Sequence, residues 1–241
     1  MASRYFANFP EITYTLSDGK VVFIKDFFRK SKIEKSAVSS IIDYTKYNLK
    51  FGERPDVLAT NLYGNADLHW TFFLVNDIEN YYDWYKDSEI FEEYITKKYQ
   101  GQYAIANATT DIVSAPTDAQ DHKFLLGEKV TSVSSEGRIT DVEPINKRIN
   151  IEGGNFVADE LITGSVSGKS FTPVSVINKR DGIHHYKNDD GLITNVETSG
   201  FTSVSNYDYE VVENDKKREI NIIEPGKIDG IVRRFEEIMS A

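Results

Sequence analysis

The chain predicts an α+β fold: a βααβ module with peripheral strands and helices, plus an inserted small all-β domain of two repeated hairpin units. Three observations lead there. Residues 53–77 carry two short helical patterns back to back. Residues 124–148 return, altered, as residues 156–180. Around them run short stretches with apolar residues in alternation, and residues 228–238 carry an amphipathic helical pattern.

The elements follow in order. Ile12, Tyr14 and Leu16 alternate, Asp18-Gly19 offers a turn, and Val21 and Phe23 return, which predicts a hairpin. Asp26 to about Ala37 reads as a short basic helix. Tyr47, Leu49 and Phe51 alternate again as a strand entering the helical pair. Pro55 suits a first helical position, where its fixed φ helps and its missing N–H costs nothing. Leu58 and Leu62 share a face, Gly64 supplies the left-handed stop, and Asn65 or Asp67 can cap the second helix. There Leu68, Phe72 and Val75 form one apolar stripe, and Trp70 and Leu74 a second, so this helix is expected to be buried. A second strand should follow and pair with the first. Ser88 to Tyr99 has helical spacing through Ile90, Phe91, Tyr94 and Ile95.

Gln100 to Gln120 is small and polar and reads as a linker or loosely held extended segment. Beyond it Phe124–Arg148 aligns with Phe156–Arg180 at a shift of 32. Glu128 matches Glu160, Thr131 matches Thr163, Ser135 matches Ser167, and Ile145-Asn146-Lys147-Arg148 recurs as Ile177-Asn178-Lys179-Arg180. Each copy has β-branched residues on both sides of a Ser/Gly turn, so two copies suggest a small β-sandwich or barrel. His184 to Tyr186, an Asp190-Gly191 turn and Leu192 to Val196 read as further strands. Tyr207 to Val212 and Arg218 to Ile223 read as a hairpin about Asn214-Asp215. Ile228, Ile231, Val232, Phe235 and Ile238 then share one face of a closing helix. The expected domains are 1–120, with the module at about 44–85; the inserted repeat at 121–181; and 182–241, packing back on the first part.

Composition narrows the function classes. The 241 residues carry a formal net charge of -10, which argues against a nucleic-acid backbone as main ligand. Zero cysteines remove disulfides, thiol nucleophiles and thiolate metal sites. No run approaches the ~18 apolar residues of a membrane span, and the opening Met-Ala-Ser-Arg-Tyr-Phe-Ala-Asn-Phe-Pro lacks an apolar signal core. The aromatics are mainly 14 Tyr and 14 Phe, residues that suit both β-sheet cores and surfaces buried against partners.

Several motifs mimic chemistry. Gly164-Ser-Val-Ser-Gly168-Lys169-Ser170 resembles a phosphate loop but is one residue short, and Pro173 follows where a helix is needed. Asn188, Asp190, Gly191 and Glu197 sit near calcium-loop offsets, but Tyr186 occupies the first ligand position. Both read as hairpin turns. His184 and His185 are adjacent, so in a strand they point to opposite faces and cannot chelate together. His69 reads as a hydrogen-bonded, partly buried residue; His122 is the fourth histidine. No Ser/His/Asp set is recoverable, Val166 stands where a nucleophile elbow needs Ser, and no carboxylate pair is singled out among 38 Asp and Glu. The expectation is no catalytic residue, no metal and no cofactor.

Residues 53–77 also resemble a known family. Arg54-Pro55, Leu58-Ala59, Leu62-Tyr63-Gly64-Asn65, Leu68, Trp70 and Asn76-Asp77, followed by Tyr81, Tyr82 and Trp84, are similar to the LysM-like baseplate wedge subunit of T-even-type contractile-tailed bacteriophages. Asp26-Phe27-Phe28-Arg29 upstream, and Glu213-Asn214, Arg218-Glu219-Ile220, Ile222-Ile223, Ile228 and Ile238-Met239 downstream, fit the same pattern. The resemblance implies a structural virion protein, made in the host cytoplasm and built into the tail baseplate. It implies other wedge proteins as partners, and no nucleic acid, membrane or small-molecule substrate. Arg54, Tyr63, Trp70, Tyr81, Tyr82 and Trp84 are the expected protein contacts. The alternative is a LysM-type module binding peptidoglycan in a groove between Phe51–Arg54 and the segment after Val75.

Overall fold

The computed structural model describes residues 5–6, 9–26, 44–107, 124–144 and 146–240. In chain order it begins with β1 (Glu11–Thr15), β2 (Val21–Lys25), β3 (Tyr44–Asn48), α1 (Pro55–Tyr63) and α2 (Trp70–Val75). Next come α3 (Ser88–Lys98), β4 (Gln102–Ile105), β5 (Lys129–Thr131), β6 (Glu136–Glu143) and β7 (Arg148–Glu152). Then follow β8 (Ile162–Gly164), β9 (Ser170–Phe171), β10 (Ser175–Asn178), β11 (Ile183–Lys187), β12 (Ile193–Thr194) and β13 (Thr202–Ser205). The last elements are α4 (Asn206–Lys216), β14 (Glu219–Ile223) and α5 (Ile228–Ser240). This is an α+β chain. It divides into two compact units, one of Met1–Asp87 with Glu213–Ala241 and one of Ser88–Val212.

In the first unit, β1 and β2 form the expected hairpin, with Gly19 at φ 83° and the Asp18 carboxylate accepting from Lys20 N at 2.9 Å. Pro55 opens α1, and Gly64 closes it at φ 70° with its N–H on Thr60 O. The Asn65 side chain accepts from Asp67 N and starts a 3-10 turn, Ala66–His69, that leads into α2. The strand that pairs with β3 comes from much later in the chain. β14 lies antiparallel to it, from Glu219 opposite Asn48 to Ile223 opposite Tyr44. Asn76 fastens α2 to that strand. Its amide donates to Phe72 O and Asn221 O, and its carbonyl accepts from Asn221 N. Leu49, Leu58, Ala59, Phe72, Trp84, Ile220 and Ile222 fill the core between helices and sheet. Of α5, Ile228, Ile231, Phe235 and Met239 are buried, while Ile238 is exposed. The inward stripe therefore ends on Met239 and not, as the spacing suggested, on Ile238.

In the second unit the sheet order is β10-β4-β7-β6-β5-β8-β9. The two end strands, β9 and β10, are separated only by Thr172-Pro173-Val174. One kinked run thus occupies both ends of the order, and the sheet curls round on itself; proline fits such a bend because it cannot donate to a ladder. Inside lie Val130, Ile139, Ile149, Ile151 and Ile162, with Phe124, Phe156 and Phe171. The sequence repeat shows in the pairing. Thr131 sits opposite Thr163, its own counterpart in the other copy, across the antiparallel β5–β8 pair. The two copies are thus related by a local two-fold through that pair.

Three expectations fail here. Residues 102–105 are no linker: β4 pairs with both β7 and β10, and Ala104 and Ala106 are buried because small side chains fit the crowded interior. Residues 207–212 form no hairpin strand but the body of α4. Ser205 accepts from Asp208 N and donates to its carboxylate, a reciprocal cap that outweighs the strand-like alternation of Tyr207, Tyr209 and Val211. The two histidines of β11 do not point apart: the register against β13 slips between Ile183 and His185. The short basic helix expected from Asp26 to Ala37, save Asp26 itself, and His122 lie outside the described residues.

Candidate interaction surface

The residues expected to touch partners fall into two groups. Trp70 is 4% exposed and packs on Phe235 at 4.4 Å between ring centres, in a cluster with Phe9 and Met239. Trp84 is 6% exposed and rests against Phe72 and Phe73. Its indole N–H donates to Glu53 O at 3.0 Å, tying the stretch after α2 to the turn before α1. Tyr63 is half-buried and donates to Ile223 O at 3.0 Å. Burial pushes its phenol up to about 12, although the bonds to Ile223 and Thr71 pull the other way.

Tyr81 and Tyr82 are different: they are 54% and 76% exposed. Asn80 caps their short 3-10 turn by accepting from Tyr82 N at 3.0 Å. The Tyr81 ring stands edge-on to both Phe73 and Tyr82. Tyr81 also borders a cleft of about 660 Å³ that Trp70, Phe73, Leu74, Asp77 and Glu79 help to line. Arg54 is exposed and forks onto Asp56, Nε at 3.1 Å and Nη2 at 2.9 Å. The first unit thus presents two large aromatic side chains at Tyr81 and Tyr82 and, before α1, a planar cation at Arg54 to solvent, with Trp84 bonding the segment after the two tyrosines to the turn before α1. Such groups carry much of the energy of protein interfaces.

The motifs that mimic chemistry are occupied by the chain itself. The turn at Val166–Ser167 does bind an anion through backbone N–H groups, and the anion is Glu128. Its carboxylate accepts from Val166 N at 3.1 Å, Ser167 N at 3.0 Å, Ser167 Oγ at 2.9 Å and Leu125 N at 2.7 Å. Burial alone would raise the Glu128 pKa, but these bonds outweigh it and hold the carboxyl below its ordinary range. The other copy does the same in reverse: Glu160 accepts from Ser132 Oγ, Ser134 N and Ser134 Oγ. Each half of the repeat thus holds the other half's serine turn. Neither exchange was recognised from the sequence, although the aligned Glu128 and Glu160 beside two serine turns were the available signal. The calcium-like segment is a hairpin turn in which the Asn188 carbonyl accepts from Leu192 N. His69 Nδ1 lies 2.9 Å from Ala66 O, so that ring is engaged locally. Among the described residues no group of three or more His, Asp or Glu could hold a metal ion. Nor is any described helix long and apolar enough to cross a membrane.

Comparison with known protein families matches residues 5–119 to base plate wedge protein 53. Over that stretch, a little under half of its length, the chain is similar to the phage baseplate wedge family. The matched stretch includes β1 to β4, the three helices α1 to α3, and Tyr81, Tyr82 and Trp84. That description names a wedge component of a phage base plate. The comparison with curated proteins gives no match.

Proposed function

We propose that this chain binds other baseplate wedge chains through its first unit and helps to join the wedges into the baseplate ring. One observation carries the reading: the wedge-family match spans the segment that exposes Tyr81 and Tyr82 on a rigid base. Arg54 adds a planar cation to the same contact set. β3, α1, α2 and β14 make up a LysM-like βααβ module, with its second strand supplied from far along the chain. The role is scaffolding rather than catalysis, and the partners are proteins. The chain is made in the host cytoplasm and acts in the assembled tail.

The glycan-binding reading needs an open groove between Phe51–Arg54 and the segment after Val75. Trp84 lies against that first turn with its indole bonded to Glu53 O, which speaks against room for a sugar there. Co-expression with the other wedge chains, followed by sizing of the complexes, tests the proposal. The native chain should enter a wedge complex. The double variant Tyr81→Ala with Tyr82→Ala should keep its melting temperature, since exposed positions cost within about 0.5 kcal/mol, and lose the complex. Full incorporation of that variant and of Arg54→Ala would refute this contact surface. Failure of the native chain to bind any wedge protein would refute the assembly role itself.

A further inference from the structure

We infer that His184 and His185 form a one-proton pair, and that entry of a second proton releases β11 from α4. The argument begins with the register slip in β11. Ile183 lies opposite Ser205 and His185 opposite Val204, so His184 is the extra residue of a bulge. The bulge turns two adjacent side chains to the same side. Their Nδ1 atoms are 2.8 Å apart. Tyr209 of α4 holds both rings: His184 lies flat on it at 3.9 Å and 7°, and His185 meets it edge-on at 6.0 Å and 89°. His185 is buried.

Two Nδ1 atoms at that distance require one N–H and one bare nitrogen. The donor ring carries its proton on Nδ1, and the acceptor ring carries its own on Nε2. A first added proton can enter at the donor's Nε2 and leave the bond intact. A second must enter at the acceptor's Nδ1, where N–H would face N–H between two cations. The pair therefore takes one proton while folded and a second only by parting.

The surroundings do not relieve a second charge. On α4, Glu210 is buried and already bonded to Lys98 Nζ at 2.6 Å and to the Tyr99 phenol at 2.8 Å, with Tyr94 at 3.1 Å. Lys98 on α3 offsets its charge, and Asp208 of α4 is engaged by Ser205. Arg148 of β7 reaches Ile183 O, and its charge is offset by Glu143 at 2.7 Å. β12 and β13 carry no titratable side chain, and on β11 itself there are Tyr186 and Lys187. Burial, and then His185, lower the pKa of His184; Glu210 pulls the other way and is outweighed, with Lys98 adding to the lowering.

The test is imidazole nitrogen NMR of the full chain across pH 8 to 4, with signals assigned through His184→Gln and His185→Gln. The expected result is two rings in opposite tautomers at neutral pH that titrate in separate steps about one pH unit or more apart. The lower step should coincide with loss of Tyr209 near-ultraviolet dichroism, and it should vanish in either single variant. Two rings in the same tautomer, titrating together near the ordinary histidine value, would overturn the inference, and so would a lower step that leaves Tyr209 unchanged. The tautomer and titration readout uses the native chain, so it stands even where a variant folds poorly.

Discussion

Replacing Trp70 with alanine tests whether the first unit is built as described. Trp70 is 4% exposed and lies among Phe9, Phe235 and Met239, with Leu74, Val232 and Tyr5 against it. A buried tryptophan removes up to about 250 Å² from water. At about 25 cal/mol per Å² that is roughly 6 kcal/mol, an upper bound because the unfolded chain already hides part of it. Alanine keeps a fraction, so the expected loss is about 3–5 kcal/mol, in line with aromatic-to-alanine changes in other cores. For a unit of this size each kcal/mol shifts the midpoint by about 4 °C, so melting should fall by roughly 10–20 °C. Differential scanning calorimetry reads this directly, and near-ultraviolet dichroism follows the aromatic cluster. An unchanged midpoint together with failure to assemble would make Trp70 an interface anchor and refute its place in the core.

Other outcomes follow from the same structure. Ser205→Ala removes the reciprocal cap of α4 and should cost about 1 kcal/mol in chemical denaturation; no change would mean the cap is unimportant. The folded carboxyls of Glu128 and Glu160 lie below their ordinary value of 4.5, so their contribution is complete above that pH and is lost as the pH falls through the folded values. Glu128→Gln should therefore flatten the acid side of the stability curve, and an equally steep curve would contradict the exchange of glutamates. Excising 88–212 and joining the ends with a short glycine-rich linker should leave a folded first unit. Lys86 N donates to Asn214 Oδ1 at 3.0 Å, and Asn214 Nδ2 donates to Lys86 O at 2.8 Å, so the cut ends are already neighbours. Loss of cooperative unfolding in that variant would count against the division into two units.

Local punctuation made much of this fold legible. Pro55, Gly64 and Asn65 each do in the structure what their backbone chemistry suggested, and the Asp18-Gly19 turn does too. Strand partners were harder, because an alternating pattern says which face is buried but never names the neighbour. Nothing in Tyr44–Asn48 points to Glu219–Ile223. The α4 segment carried two conflicting signals, a period of two in Tyr207, Tyr209 and Val211 and a capping box in Ser205 and Asp208, and the cap prevails. The side-by-side histidines depend on a bulge set by pairing with β13, which no local pattern encodes. At the surface, two apolar stripes marked α2 as buried, but nothing in the sequence separated the exposed Tyr81 and Tyr82 from the buried Trp84 two residues on.

The most direct measurement is a tagged pull-down of this chain from cells assembling contractile-tail particles, read by quantitative mass spectrometry. The account predicts several baseplate wedge chains in fixed proportion, lost when Tyr81 and Tyr82 are both alanine. Recovery of cell-wall glycan fragments in place of wedge proteins, or of no wedge protein at all, would contradict it.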